Sequence, residues 1–222
     1  PQLIPVHGDY EDWFAAGLGI SDLFQVDVYR HETLPDAHNL SGVLITGSPA
    51  MVSAREDWSE RTARWLERAV HEDIPVLGVC YGHQLLAHAL GGRVGPNPNG
   101  RQIGTVPAQL IEPANTDRLL GYLPGLLDVQ TSHSEVVLTP PTGAVRLATS
   151  PLDNNFAIRF AENAWGIQFH PEFSGPVMSG YIKYRSDDLL EEGLDPESLQ
   201  GKVTGTADAE SVLQRFVELT RL

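Results

Sequence analysis

A single cysteine occurs in the 222 residues, Cys80, and its immediate neighbours give it chemical interest. It stands in Gly78-Val79-Cys80-Tyr81-Gly82, after the continuous apolar run 74–79 and before a helical stretch that Gly91-Gly92 closes. A nucleophile on so sharp a strand-to-helix turn is thrust out above the sheet, and the turn demands glycine two positions to either side. The N-terminus of the following helix offers unpaired N–H groups and a positive dipole end, which favour thiolate over thiol. The backbone N–H of Tyr81 is then placed to bind a developing oxyanion. Without such surroundings a lone cysteine is most often a small core hydrophobe.

A cysteine nucleophile needs a base, and the base needs an orienting acceptor. Gly166-Ile167-Gln168-Phe169-His170-Pro171-Glu172-Phe173 supplies both at the end of another predicted strand. In extended backbone His170 and Glu172 would stand on the same side, so that the carboxylate fixes the imidazole tautomer while the ring faces the thiol. Alone, His-x-Glu is an ordinary solvated surface pair. Both motifs fall at carboxyl ends of predicted strands, where an open α/β sheet gathers its ligands.

The elements needed to position these residues can be read from apolar patterning. Strands are expected at 3–6, 24–29, 42–45 and 74–79, the last continuous enough to be buried on both faces. Trp58, Thr62, Trp65, Leu66 and Ala69 form the one-sided stripe of an amphipathic helix. Residues 102–111 read as extended; 145–148, 156–160 and 166–169 read as strands, partly antiparallel. Helices are expected over 176–191 and 208–222, with the polar, turn-rich 193–205 between them. Strands alternating with helices predict an α/β fold, a doubly wound and mostly parallel sheet with helices on both faces and an antiparallel extension. One domain is expected over 1–222, with a C-terminal helical extension from about residue 186.

Fifteen basic against 29 acidic residues give a net charge of −14, which repels phosphate backbones and anionic lipid. Neither nucleic acid nor a membrane is therefore expected as a partner. The N-terminal PQLIPVHGDY lacks a basic segment followed by an apolar one, so no secretory signal is expected and the cytoplasm is the default. One cysteine excludes an intrachain disulfide framework and any multi-cysteine metal site. His83 and His88 are five apart and His31 and His38 seven, spacings that match no helical zinc pair, so no metal is expected. His7, Asp9 and Trp13 could line the rim of a site, although a satisfied loop histidine is the plainer reading. Tyr181 and Tyr184 read as core or half-buried residues of a helix.

The two motifs together resemble the class I (triad-type) glutamine amidotransferase family, and in particular the glutaminase domains of GMP synthases. Gly78-Val79-Cys80-Tyr81-Gly82-His83-Gln84 with Leu90-Gly91-Gly92, and Gly166 to Glu172 downstream, carry the likeness, which spans about residues 40 to 175. The resemblance implies a flavodoxin-like fold and no cofactor. Cys80 would form a γ-glutamyl thioester, with His170 as acid–base and Glu172 as its partner. Gly47, in Thr46-Gly47-Ser48-Pro49, matches the family's oxyanion loop, though many members carry a double glycine there. Gln84, and Ser132, His133 and Ser134 within the segment 131–136, match positions that bind substrate. No Gly-rich nucleotide loop of either common type occurs. The expected activity is cysteine-dependent hydrolysis of a γ-glutamyl amide. Its substrate is either glutamine, with ammonia passed to a separately encoded synthetase subunit, or a γ-glutamyl conjugate cleaved by this chain alone. A non-catalytic binding module would lack a triad member, and none is lacking.

Overall fold

The structure, a computed structural model, describes residues 10–20 and 23–221. The strand expected at 3–6, with His7 and Asp9, lies outside the described residues. Seven strands form the main sheet: β1 (Val43–Ile45), β2 (Val76–Val79), β4 (Gln102–Leu110), β5 (Leu126–His133), β7 (Val145–Thr149), β8 (Ala157–Ala161) and β9 (Ala164–Ile167). Their order is β1-β2-β9-β8-β7-β4-β5. A separate pair joins β3 (Arg93–Pro96) to β6 (Glu135–Thr139). The pairings make β1, β2, β9, β7 and β5 run one way and β8 and β4 the other. The sheet is thus mostly parallel in direction, with antiparallel ladders beyond β9.

The central strands β2 and β9 are buried at every position, as their unbroken apolar patterns require. Alternation along β2 divides the core. Val76 packs with Leu66, Leu85 and Leu86 beneath helices α2 (Asp57–His71) and α3 (Tyr81–Ala89). Leu77 and Val79 face the opposite layer, where Phe14 of α1 (Tyr10–Leu18) and Val212, Leu213 and Phe216 of α7 (Ala207–Leu219) lie. Helices therefore cover both faces of the sheet. Helix α2 buries the expected stripe of Thr62, Trp65, Leu66 and Ala69. Its first turn carries Asp57 and Glu60 and its last Arg68 and His71, in the sense that suits the helix dipole.

Two expectations change. Residues 24–29 form no strand: the Arg30 N–H bonds the Asp27 carbonyl, the chain turns through a 3₁₀ segment (Val28–Arg30), and Phe24 is left 74% exposed. The helix expected over 176–191 is two, α4 (Gly175–Tyr184) and α5 (Ser186–Glu191), divided at Arg185. The break lets Ile182 and Leu189 both reach a third apolar cluster with Ile103, Phe173 and Met178. A short α6 (Pro196–Gln200) interrupts the polar stretch that follows.

The sheet curls strongly. β5 lies at the edge farthest from β1, yet the Gln130 carbonyl accepts the His170 N–H at 2.8 Å and the Ser132 carbonyl lies 3.8 Å from the Cys80 sulfur. Accumulated strand twist brings the carboxyl ends of β2, β9 and β5 to one place. No helix among the described residues is long and apolar enough to cross a membrane.

Candidate active site

Cys80 ends β2 and precedes the first residue of α3. Its backbone has φ 52° and ψ −101°, the geometry of the first central position of a type II′ turn, where glycine is the natural occupant. A side chain held there costs of order 1–3 kcal/mol and persists because its surroundings over-determine it. The flanking glycines are part of those surroundings. A Cβ on Gly78 would stand 2.4 Å from the Gly82 carbonyl oxygen, and one on Gly82 would stand 2.3 Å from that of Ile45. The Cys80 N–H bonds the Ile167 carbonyl of β9 at 2.8 Å, anchoring the turn to the sheet. The next residue, Tyr81, sends its side chain away from the sulfur: its hydroxyl meets Ser59 Oγ at 2.6 Å and its ring stacks on Trp58.

His170 and Glu172 arrive three residues past β9, and their local geometry differs from the extended one expected. The Phe173 N–H closes onto the His170 carbonyl at 3.3 Å, so the pair sits in a turn. The turn still joins them, because His170 Nδ1 lies 2.6 Å from Glu172 Oε1, with both side chains buried. The ring is stacked on Phe173 at 4.2 Å between centroids, leaving Nε2 for the thiol. Burial by itself lowers the His170 pKa, but the Glu172 carboxylate and the Cys80 sulfur together outweigh it and hold the ring well above its ordinary value. Two other buried imidazoles behave oppositely. Desolvation drives His83 down to about 3 and His133 to about 4, so near neutrality both are uncharged. His83 is a packing residue, donating from Nε2 to the Asn155 carbonyl at 3.0 Å.

Gly47 follows β1 and touches both motifs: a Cβ there would lie 2.9 Å from His170 Cε1 and 3.8 Å from Cys80 Cβ. A shallow open cleft lies over the sulfur, lined by Cys80, Tyr81, Gln84, Ser132, His133 and Ser134 among others. Of the residues singled out from the sequence, Cys80, Tyr81, Gln84, Ser132, His133 and Ser134 line this cleft, while Gly47 lies beside Cys80 and the His170 ring, which Glu172 holds from behind. Gln84 is largely committed within the protein, donating from Nε2 to the Glu135 carbonyl at 2.7 Å and to Gln168 Oε1 at 3.1 Å, so its own Oε1 is the group it retains for a ligand. His133 donates from Nδ1 to the same Glu135 carbonyl at 3.0 Å.

Arg101, Tyr181 and Arg185 are lining residues to which the sequence gives no role in the site. Glu135 falls within the 131–136 segment, and its carboxylate accepts hydrogen bonds from the Ser53 N–H and hydroxyl. Tyr181, expected only as a core or half-buried residue, faces the cleft, with Arg185 four positions on and therefore on the same helical side. That spacing was the available signal. Trp13 packs with Tyr10 against Phe173, behind the His170 ring. Among the described residues, Asp36, His38 and Glu72 bring three potential metal-binding atoms within 4.8 Å of one another, but all three side chains are exposed. Asp36 Oδ1 already accepts the His38 N–H.

The family profile "Glutamine amidotransferase class-I" matches residues 17–183. The chain belongs to that family. It is similar to the GMP synthase [glutamine-hydrolyzing] of Aeropyrum pernix, 36% identical over 141 residues, which are 64% of this chain and 25% of that protein. The same enzyme of Bacillus subtilis is 36% identical over 135 residues, 60% of this chain and again 25% of that protein. The chain therefore spans about a quarter of the length of these synthases. Gamma-glutamyl peptidase 3 of Arabidopsis thaliana is 26% identical over 181 residues, 78% of this chain and 72% of that protein. Among solved structures, a glutamine amidotransferase of Thermotoga maritima superposes with a TM-score of 0.76 at 24% identity, covering 95% of this chain and 90% of that one. The likeness of fold thus extends over nearly the whole chain.

Proposed function

We propose that this class-I amidotransferase chain hydrolyses a γ-glutamyl amide through a γ-glutamyl thioester on Cys80. The observation that carries the reading is the buried His170–Glu172 pair at 2.6 Å beside a cysteine held at positive φ. The Cys80 thiolate attacks the side-chain amide carbonyl, and a C–S bond forms as the carbonyl oxygen takes the charge. The N–H groups of Gly47 and Tyr81 receive that oxyanion, each contributing about 3 kcal/mol. Protonated His170 gives its proton to the departing nitrogen, the C–N bond breaks, and amine or ammonia leaves. Neutral His170 then takes a proton from water, whose oxygen attacks the thioester; glutamate departs and the thiolate is restored with its imidazolium partner. Glu172 holds the ring and stabilises its charge throughout. Gln84 and the 132–134 segment contact the glutamyl group.

Incubation of the purified chain with glutamine and with γ-glutamyl amides, followed by intact-mass measurement, is expected to trap a γ-glutamyl adduct on Cys80. Hydrolysis without any adduct, and without loss of activity when a glutamine-like chloroketone alkylates Cys80, would reject the thioester route. A narrower expectation concerns Gly47. In Gly47→Ala the new methyl must displace the His170 ring by tenths of an ångström. Turnover should fall about 10- to 100-fold with little change in KM, since misplacement acts on the chemical step. Steady-state kinetics checks it.

Similarity to GMP synthases favours a second reading, in which glutamine is cut and the ammonia is used by a separately encoded synthetase. Strong stimulation of glutaminase activity by such a partner would support it; high turnover of γ-glutamyl conjugates by the chain alone would exclude it.

A further inference from the structure

We infer that Arg101 and Arg185 form a carboxylate-binding subsite in the wall of the cleft, suited to the leaving group of a γ-glutamyl amino acid or peptide. The inference rests on the hydrolase reading above and narrows its substrate.

The charged side chains lining the cleft, apart from the thiol, are Arg101, Arg185 and Glu135. The chain carries only 15 basic residues against 29 acidic ones, so two arginines lining the same cleft as Cys80 are a local reversal of its overall charge. They arrive from distant stretches, one just before β4 and the other at the junction of α4 and α5. Both are oriented from behind by α5 and its cap. Arg101 Nε and Nη2 bind Glu192 at 2.6 and 2.8 Å, and among the described residues Nη1 has no hydrogen-bond partner. Arg185 Nη1 reaches Asp188 at 3.3 Å, and its guanidinium carbon lies 5.5 Å from the Tyr181 ring centroid. Its Nε is buried and has no hydrogen-bond partner among the described residues, a donor whose desolvation is uncompensated until an acceptor arrives. A guanidinium presents parallel N–H donors that match a carboxylate, and it keeps its charge at any working pH.

Charge counting then separates the candidate substrates. Glutamine offers one ammonium and one carboxylate, and its leaving group is ammonia. A γ-glutamyl alkylamine offers the same two charges. A γ-glutamyl amino acid carries a second carboxylate, on its leaving group, and that is the charge the paired guanidiniums would receive. Glu192 and Asp188 are partly solvated, with side chains 39% and 61% exposed, so they hold the guanidiniums without neutralising them in full.

The test is binding to the inactive Cys80→Ala chain, measured by titration calorimetry with γ-glutamyl-glycine and γ-glutamyl-methylamide, which differ by the second carboxylate. The dipeptide should bind at least tenfold more tightly. Arg185→Gln and Arg101→Gln should each bring the ratio of the two affinities toward one. Glu192→Gln, which unties Arg101 but keeps its charge, should leave the ratio at or above its starting value. Equal affinities in Cys80→Ala, a ratio unmoved by both arginine substitutions, or a ratio that collapses in Glu192→Gln would each overturn the subsite. An intact ratio alongside absent turnover of both compounds by the unsubstituted chain would sustain the subsite while rejecting the hydrolase reading.

Discussion

Cys80→Ala is expected to abolish γ-glutamyl hydrolysis, with turnover down by about 10⁴-fold or more, the order found when a nucleophile is removed from a triad. The fold should persist, because Cys80 is small and the glycines at 78 and 82 continue to meet the constraints of the turn. A companion variant makes the assignment sharper. The backbone at Cys80 lies at φ 52°, ψ −101°, where glycine is unstrained and every L side chain is not. Cys80→Gly should therefore be equally inactive yet more stable than Cys80→Ala, by about 1 kcal/mol on the usual scale for relieved backbone strain. Thermal or urea denaturation of the two variants measures the difference. Turnover within tenfold of the parent in Cys80→Ala would reject the nucleophile, and a Cys80→Gly less stable than Cys80→Ala would reject the strain.

Glu172→Gln should have the next largest effect, a loss of about 10²- to 10⁴-fold in turnover, by analogy with other triads whose orienting carboxylate is neutralised. The reason is electrostatic as well as geometric. His170 is fully buried, and burial pulls its pKa down; the Glu172 and Cys80 partners push it well above the ordinary imidazole value. The charged ring is the acid that protonates the departing nitrogen, so kcat/KM should hold through neutrality and decline as pH rises through the raised His170 pKa. Without the carboxylate the balance tips toward desolvation, and the alkaline decline should move to lower pH. The same shift has a consequence for stability. Since the folded-state pKa lies above the unfolded one, the His170 contribution is fully present below about pH 6.5, the unfolded imidazole value, and is lost as pH rises through the folded value. Glu172→Gln should flatten that dependence. Alkylation of Cys80 by a glutamine-like chloroketone should survive the substitution, because access to the sulfur does not depend on Glu172. An unmoved alkaline limb, or a Cys80 inert to the alkylator, would contradict this account.

Much of this site was legible in the chain because it is local. Gly78 and Gly82 can be read directly, since their missing Cβ atoms relieve clashes with Gly82 and Ile45 that any strand–nucleophile–helix turn of this tightness creates. The apolar run before Cys80 and the stripe on α2 likewise follow from neighbours and period. The pairing of His170 with Glu172 is legible in the sequence but their turn is not, because Pro171 is compatible with extended and turned backbone alike and the closing Phe173 N–H bond is a tertiary choice. Residues 24–29 look like a strand by composition and are not one, since a strand also requires a neighbour to pair with.

The sequence alone determined the glycine-flanked strand-to-helix turn at Cys80 and the family to which the chain belongs, because these rest on backbone geometry and motifs within a few residues. Only the folded chain decided what stands around them. The approach of the Ser132 carbonyl to the sulfur and the bond from the His170 N–H to the Gln130 carbonyl depend on the curl of a sheet whose β5 edge is remote from β2 in strand order. Arg101 and Arg185, 84 positions apart in the sequence, meet at one cleft because the β4 approach and the break between α4 and α5 deliver them there. Such contacts arise from long-range pairings and packing, whose energies depend on which surfaces come to face each other, and no run of adjacent residues encodes that by itself.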